Sequence, residues 1–490
     1  MCVVYVALRL WGLTDSCLWF DEIFGVHAAE HRWSGMFWFL AQDLIHPPLF
    51  YVLLKIWMAI GGDGLVWLRL FPVFFAVLSI APFLYLCREL KLGRLTILVA
   101  FILFTVNGSL IKYAQEIRMY SLLLFLSLMS IWLFSRFFIK GKSFVALIIV
   151  NILLVHTHYF GWLVVGSEVV AILAFQRIKI RQILLMFGIT FVSFVPWMIA
   201  VYRAASGGSS VGQNIGWIER PGISAIFTLL FDLIEPFYFQ ISNVEPGSLY
   251  YISIPLLILI GVAKIAYLLR WLSFEEKKYT YFLEVMIGVP IATALILSWV
   301  MPLSVWGSRH LIIVYAPLLI LTAIFLTELT NAVAQKIVLG IGGVLLTISF
   351  GIYAATPTKE QPWCAWEKAA ETIAQTETTE PITPVYAFED LSAYHLWFAL
   401  RRDERFRIFK VEGIKGIAED KAYFLPRGFN GVEKINIDNV PKQLSFIVFR
   451  DSEIDWRRRP LRAFNYRRFE FRRIELKHFA KPRTHLYKVF

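Results

Sequence analysis

Two adjacent carboxylates, Asp21 and Glu22, follow the first apolar stretch of the chain. Charged side chains are costly at the boundary of a bilayer, so a pair at this point needs a physical reason. A carboxylate beside a bound substrate can act as a general base that removes a proton from an attacking hydroxyl. Alternatively, the pair caps or solvates the next helix as an ordinary charged helix end. We predict Asp21 as the catalytic base and Glu22 as a second candidate that equally suits a capping role.

Further polar side chains recur where other apolar segments end, and they are mostly cationic or aromatic. Arginine binds phosphate oxygens through two parallel hydrogen bonds, which makes it the preferred cation for a phosphate group. From their positions we therefore predict three phosphate-binding residues, Arg118, Arg309 and His310, while His46 and Arg69 lie at similar positions. We predict four supporting residues at the same ends: Glu116, Tyr120, His156 and His158.

The composition is that of an integral membrane protein with many spans. Of the 490 residues, 58% are hydrophobic and 17% charged, and the mean hydropathy is +0.62, whereas soluble proteins carry about 25% charge. The net charge is +12. Many of the basic residues lie in short loops, where they set membrane topology. We therefore expect no nucleic-acid partner. The four cysteines show no paired spacing and no metal pattern.

The apolar runs predict eleven spans with the N-terminus inside. The first run, residues 1–13, is shorter than the roughly 20 residues that cross a bilayer, so we expect a natural start upstream of Met1. Residues 14–64 form an external loop with juxtamembrane helices at 23–30 and from Pro48 to about residue 60, and 223–240 is a further interfacial candidate. The other ten spans are predicted at 65–87, 95–111, 118–138, 143–158, 160–175, 183–201, 249–269, 281–300, 309–328 and 335–354.

The placement of basic residues orients these spans. If residues 14–64 lie outside, the four basic loops at 88–94, 136–142, 177–181 and 270–278 all fall in the cytoplasm, as the positive-inside rule requires. Every carboxylate, arginine and histidine cluster then falls outside. We therefore expect one polar site at the non-cytoplasmic face of a prokaryotic cell (inner) membrane.

The composition changes near residue 356, which divides the chain into a membrane domain, 1–355, and a soluble extracytoplasmic α/β domain, 356–490. A helix is predicted at 366–374. Alternating apolar residues predict strands at 384–388, 406–411, 444–449, 469–476 and 485–489. The basic run Trp456–Pro460 is expected to be a solvated surface or a contact to anionic headgroups.

A carboxylate beside arginines at a membrane face suits a substrate that carries a lipid phosphate and a sugar. We predict that an acceptor hydroxyl loses its proton to Asp21 and attacks the anomeric carbon of a polyprenyl-phosphate sugar. The lipid phosphate leaves, and one direct displacement inverts the anomeric centre. No cofactor is expected, and no metal either, because the loop offers one Asp-Glu pair and no cage of carboxylates.

Four segments in order resemble the signatures of integral-membrane GT-C glycosyltransferases of family 39. They are Trp19–Glu22, His46–Leu49, Leu68–Leu70 and Gln115–Tyr120. The resemblance covers about residues 1–330 and points to the protein O-mannosyltransferase and aminoarabinose-transferase branch. It implies Asp21 as base, His46 beside the donor phosphate and Arg69 at the site. Aminoarabinose transferases carry Lys where this chain has His46, whereas protein mannosyltransferases have His there.

Several alternatives remain open at this point. A transporter or flippase of lipid-linked sugars also needs arginines at the outer face, although it should show broken midplane segments in matching halves. A sensor with an external ligand-binding domain leaves the polar motifs unexplained. His156 and His158 form either a metal pair or interfacial histidines, and Arg118 pairs with either substrate or Glu116. The Gly/Ser-rich loop 206–212 is a candidate lid. The acceptor is a protein, a glycolipid or a polymer.

Overall fold

The computed structural model describes residues 1–208, 212–216, 218–237, 250–270, 274–356, 363–377, 381–414, 425–450, 470–476 and 484–490. Helices make up the chain as far as residue 355, and a mixed sheet with two helices follows. The basic run Trp456–Pro460 and residues 209–211 of the candidate lid lie outside the described residues.

Eighteen α-helices precede the sheet among the described residues. In chain order they are α1 Cys2–Leu10, α2 Phe20–Glu30, α3 Trp33–Asp43, α4 Leu49–Gly61, α5 Leu65–Leu78, α6 Ile80–Glu89, α7 Arg94–Val106, α8 Gly108–Gln115, α9 Tyr120–Lys140, α10 Phe144–Thr157, α11 Gly161–Phe175, α12 Ile180–Ser206, α13 Gly212–Ile215, α14 Ile223–Ile234, α15 Tyr250–Leu268, α16 Phe274–Val300, α17 Tyr315–Thr327 and α18 Ala332–Ala355. The helices follow the predicted apolar runs closely, and α3 is an additional helix inside the segment 14–64.

Local sequence explains where several of these helices begin and end. The side chain of Asn107 accepts a hydrogen bond from the backbone N–H of Leu110 and caps α8, and Asn331 caps α18 in the same way. Helix α9 ends at Gly141, whose φ of +67° favours a residue without a Cβ atom. Such caps provide hydrogen-bond partners for backbone groups at the helix ends, and an apolar surrounding cannot provide them.

Seven helical segments among the described residues are long and apolar enough to cross a membrane, and five shorter apolar helices accompany them. The seven are 65–89, 120–140, 177–206, 250–268, 277–300, 310–327 and 332–355. Helix α1 has nine residues, fewer than a crossing needs. A multi-pass helical membrane protein is therefore observed, whereas the number of eleven spans stays a prediction.

The basic loops gather at one end of the helical bundle. Lys140 pairs with Glu89 at 2.6 Å, and the Lys179 ammonium donates to the carbonyl oxygens of Phe137 and Phe138. The charge of Lys278 acts on the same Lys179. Arg118 precedes α9, whose other end carries Lys140, and His158 follows α10, which begins after the same basic loop. The chain thus separates this basic loop from Arg118 and His158.

The C-terminal part is a six-stranded mixed sheet with two helices. Its elements are α19 Cys364–Ala374, β1 Thr383–Ala387, α20 Asp390–Leu400, β2 Phe406–Glu412, β3 Val432–Asn436, β4 Ser445–Arg450, β5 Phe471–Ile474 and β6 Thr484–Val489. The order is β3-β2-β1-β4-β6-β5, with β1 to β4 parallel and β6 antiparallel to β4 and β5. The five predicted strands and the predicted helix are confirmed, while β3 and α20 were not predicted.

A disulfide between Cys17 and Cys364 joins the segment before α2 to the first residue of α19. No pattern in the spacing of the four cysteines indicated this pair. Sequence spacing could not show the pair, because 347 residues separate its members and only the tertiary fold brings them together. Cys2 and Cys87 are free thiols.

Side chains of α20 and the residue after it pack on α2. The C-terminal domain therefore contacts the helical bundle here as well as through the disulfide. The ring nitrogen Nδ1 of His27 lies 2.8 Å from the hydroxyl of Tyr394. Arg401 forms ion pairs with Glu30 at 2.6 Å and with Asp63 at 3.4 Å. The sheet domain is thus seated on the same segment, 14–64, that carries the two adjacent carboxylates.

Candidate active site

Asp21 lies in the first turn of α2 and keeps 27% of its side chain exposed. The guanidinium of Arg118 holds it in place: one amino group donates to the Asp21 carbonyl oxygen at 3.1 Å, and the other lies 3.6 Å from a carboxylate oxygen. Arg118 itself is only 3% exposed. Asp21 is therefore an accessible carboxylate whose position is fixed by a buried cation.

His46 joins the same group through Arg118. Its Nε2 atom lies 2.9 Å from an Arg118 amino group, and its Nδ1 atom contacts the carboxylate of Asp43. Arginine can only donate, so Nε2 must accept and the ring proton must lie on Nδ1, towards Asp43. In this arrangement His46 is a neutral imidazole, and Asp43 selects its tautomer.

His158 and His310 lie on the other side of the same group of polar side chains, which we call the pocket. Their rings are 5.3 Å apart, and the His310 ring lies 6.4 Å from that of Tyr120. His158 is buried, and the guanidinium groups of Arg118 and Arg309 act on it electrostatically. These groups come from four distant parts of the chain, so the fold gathers them around one point.

Glu22 and Arg69 form a layer behind Asp21. The Glu22 carboxylate is 1% exposed, lies 3.4 Å from the Arg69 guanidinium and accepts hydrogen bonds from the backbone N–H groups of Trp19 and Ile117. Arg69 also donates to the carbonyl oxygens of Leu13 and Cys17. This pair ties the start of α2 to neighbouring segments, and the bond to Trp19 is the predicted capping role of Glu22.

Two predicted supporting residues have other polar partners. The Glu116 carboxylate lies 3.8 Å from the Lys112 ammonium. Arg118 pairs with Asp21, and its backbone N–H donates to the Glu116 carbonyl oxygen. The Nδ1 atom of His156 meets the carbonyl oxygen of Ile152, and its ring packs against Phe194. No cluster of three potential metal ligands occurs among the described residues.

Asp43 and Tyr51 belong to the pocket and were missed by the sequence analysis. The Asp43 carboxylate contacts Nδ1 of His46 and orients its ring. Tyr51 is fully buried, and its ring centroid lies 6.2 Å from that of His46. The hydroxyl of Tyr51 interacts electrostatically with Arg118 and Asp21. Both residues flank the His46–Pro48 motif closely in sequence, and that proximity was the available signal.

Three buried polar atoms around the pocket have no hydrogen-bond partner among the described residues. They are Nε of Arg118, Nδ1 of His310 and the hydroxyl of Tyr51. An unpaired buried donor costs about 1–3 kcal/mol, so such atoms are suited to a ligand that accepts hydrogen bonds. An anionic oxygen beside Arg118 would satisfy this requirement.

The fold and the site together define a multi-pass helical membrane protein whose polar cluster includes the start of α2, the helix on which a small α/β domain packs. Among solved structures the chain resembles ArnT from Cupriavidus metallidurans bound to undecaprenyl phosphate, with a TM-score of 0.54 and 14% identity over 99% of this chain and 97% of that one. The apo form of the same protein gives 0.52 at 14% identity, again over 99% of this chain and 97% of that one. No protein-family model and no curated protein matches the chain.

This likeness concerns the fold. It confirms the predicted fold class of a polytopic helical membrane protein with a small C-terminal α/β domain, and it extends along nearly the whole chain. The likeness goes beyond the four motifs, which covered about residues 1–330 of the chain.

Proposed function

We propose that this protein transfers a sugar from a polyprenyl-phosphate donor to an acceptor hydroxyl, with Asp21 as the general base. The observation that carries the proposal is the contact of Asp21 with Arg118, which also holds His46. A partly exposed carboxylate thus lies next to a buried cation. The ArnT structure of the same fold contains undecaprenyl phosphate, which supports a polyprenyl phosphate as the lipid.

In the proposed reaction each residue has a separate task. Asp21 accepts the proton of the acceptor hydroxyl as its oxygen attacks the anomeric carbon. The bond from that carbon to the lipid phosphate breaks with inversion, and the phosphate keeps the bonding electrons. The Arg118 guanidinium, whose Nε has no hydrogen-bond partner among the described residues, stabilises the leaving phosphate. Arg309 and His310 supply the opposite wall, while Glu22 and Arg69 position α2.

We further propose that the site and the α/β domain lie outside the cytoplasm of a prokaryotic inner membrane. The basic loops lie at the opposite end of the bundle, as the positive-inside rule requires. The Cys17–Cys364 disulfide is independent support, since disulfides persist in oxidising compartments and are rare in the cytosol. The acceptor would then be an envelope glycolipid, polymer or protein.

The test compares the wild-type protein with Asp21→Asn in proteoliposomes that contain a panel of undecaprenyl-phosphate-linked sugars. The readout is release of undecaprenyl phosphate in the presence of an envelope extract as acceptor. We expect the variant to lose transfer by at least about a hundredfold, the scale of a lost general base, while its binding of undecaprenyl phosphate is retained.

Asp15→Asn is the matched control, because Asp15 is an exposed carboxylate of the same segment, and it should transfer normally. Full transfer by Asp21→Asn would overturn the assignment of the base. Movement of the lipid-linked sugar across the bilayer without any transfer would instead favour a flippase.

A further inference from the structure

A closed triangle of hydrogen bonds lies inside the helical bundle, at the midpoints of three helices. Ser130 of α9, Asn151 of α10 and Glu168 of α11 are each 0% exposed. The Ser130 oxygen lies 2.5 Å from Asn151 Oδ1 and 2.6 Å from Glu168 Oε1, and Asn151 Nδ2 lies 2.7 Å from Glu168 Oε2. An ionisable group at such depth in a membrane helix is costly and has no role in the proposed reaction.

Counting hydrogens determines the protonation state of Glu168. Three contacts require three donated hydrogens. The hydroxyl of Ser130 supplies one, and the amide nitrogen of Asn151 supplies one, since its oxygen end cannot donate. The third hydrogen must therefore come from Glu168. We propose that Glu168 is a neutral carboxylic acid in the folded protein and closes a hydrogen-bonded ring that fixes α9, α10 and α11 to one another.

The same count holds for either orientation of the Asn151 amide, which is an assignment in any structure without visible hydrogens. As placed, Glu168 donates to Ser130, Ser130 donates to Asn151, and Asn151 donates back to Glu168. In the flipped orientation the ring runs in the opposite direction, and Glu168 again needs a proton. The contact of Asn151 Nδ2 with the sulfur of Met186 at 3.2 Å favours the orientation as placed.

Glu168 is hydrogen-bonded to neutral side chains. No ion pair involves Glu168 in the part of the chain that the structure describes, and its side-chain partners are Ser130 and Asn151. A carboxylate buried without a cation is far more costly than a neutral acid with both oxygens hydrogen-bonded. The cost of burying a charge therefore also favours the neutral, protonated form of Glu168.

The ring has a consequence for the site, and this consequence rests on the proposed function. Helix α9 begins at Tyr120, α10 ends one residue before His158, and α11 begins at Gly161. The hydrogen-bonded ring at the middle of these helices therefore restrains the helix ends near Tyr120 and His158. Glu168 would then be a positioning residue, remote from the reacting atoms.

Infrared spectroscopy tests the protonation directly. At pH 8 the purified wild-type protein should show the carbonyl band of a protonated carboxylic acid, and Glu168→Gln should lack it. Glu433→Gln removes an exposed carboxylate of β3 and is the matched control, which should keep the band. Loss of a carboxylate band, rather than an acid band, in Glu168→Gln would overturn the proposal.

Rescue by the conservative variant separates a neutral ring from a charged role. Glutamine can replace a protonated glutamate, because its amide donates to Ser130 and its oxygen accepts from Asn151. We expect Glu168→Gln to keep the wild-type thermal midpoint in detergent and its transfer rate. Glu168→Ala should lower the midpoint by several degrees and the transfer rate by about tenfold, because partners of Glu168 are left unsatisfied.

Failure of Glu168→Gln to fold, or equal loss in both variants, would contradict the neutral ring. Neither the infrared band nor the thermal midpoint requires sugar transfer, so a negative result here would leave the proposed function standing. Loss of transfer in Asp21→Asn, conversely, says nothing about Glu168.

Discussion

Arg118 organises the pocket at the scale of single residues. Its guanidinium contacts the Asp21 carbonyl oxygen, the Asp21 carboxylate and the Nε2 atom of His46, while its Nε remains without a partner among the described residues. A planar fork can make these contacts together, whereas an ammonium group is a point charge. The residue type therefore matters beyond its charge.

Replacing Arg118 by Lys tests this geometry. We expect the affinity for undecaprenyl phosphate and the rate of sugar transfer each to fall about 10- to 100-fold in the variant, which is the effect of losing one hydrogen bond to a charged group. Isothermal titration with undecaprenyl phosphate in detergent and the transfer assay would measure it. Arg405→Lys, on the surface of the α/β domain, is the matched control. Wild-type affinity in Arg118→Lys would show that charge alone suffices.

Helix α2 is the element on which the site depends, and it is fixed at both ends. Before its first turn, Cys17 is bonded to Cys364, and Arg69 donates to the Cys17 carbonyl oxygen at 3.2 Å. Near its end, Glu30 pairs with Arg401. A helix of eleven residues is marginal by itself, so these ties keep Asp21 in place.

Removing the disulfide should weaken this arrangement. We expect the double variant Cys17→Ser/Cys364→Ser to be less stable by about 2–5 kcal/mol, the usual contribution of a native disulfide, and to inactivate at lower temperature. Wild-type protein treated with dithiothreitol should behave in the same way. The variant Cys2→Ser, which removes an exposed free thiol, should be unaffected.

Peptide mapping without reductant should recover a cross-linked pair that contains Cys17 and Cys364. An unchanged inactivation temperature in the double variant would mean that the other contacts between α2 and the α/β domain are sufficient to hold the helix.

At the scale of the whole molecule, the α/β domain and the helical bundle meet around His27. The His27 ring packs against Trp397 at 4.6 Å and Phe429 at 5.2 Å, and it contacts the Tyr394 hydroxyl. Burial lowers the pKa of His27 to about 3, and the positive charges of His31 and Arg401 act in the same direction. The interface therefore requires a neutral His27.

This depressed pKa predicts acid sensitivity with a definite sign. The pKa of a histidine in an unfolded chain is about 6.5. Between about pH 6.5 and 3, His27 therefore binds a proton in the unfolded state and not in the folded state. Stability is fully present above this window and falls by at most about 1.4 kcal/mol per pH unit as the pH drops through it. Thermal midpoints from pH 7.5 to 4.5 should show a smaller decrease in His27→Gln than in the wild type. Equal slopes would contradict a role for His27.

The sequence by itself determined the helical bundle, the separation of basic loops from polar clusters, and most of the sheet. These features follow from long apolar runs and strand alternation, which act locally and are visible in the residues themselves. It did not predict α20, because nine of its eleven residues are buried, so it lacks the one-sided pattern that marks a surface helix. It also did not predict β3, whose exposed Glu433 and Lys434 interrupt the apolar pattern.

Only the tertiary structure decided which side chains meet. Glu22 and Asp21 are neighbours in sequence, yet one is buried with Arg69 and the other faces the pocket with Arg118. Cys17 and Cys364 are bonded across 347 residues. Such contacts depend on the orientation of packed helices, and no local pattern encodes that orientation, because each partner is chosen by the space and charge that distant segments leave.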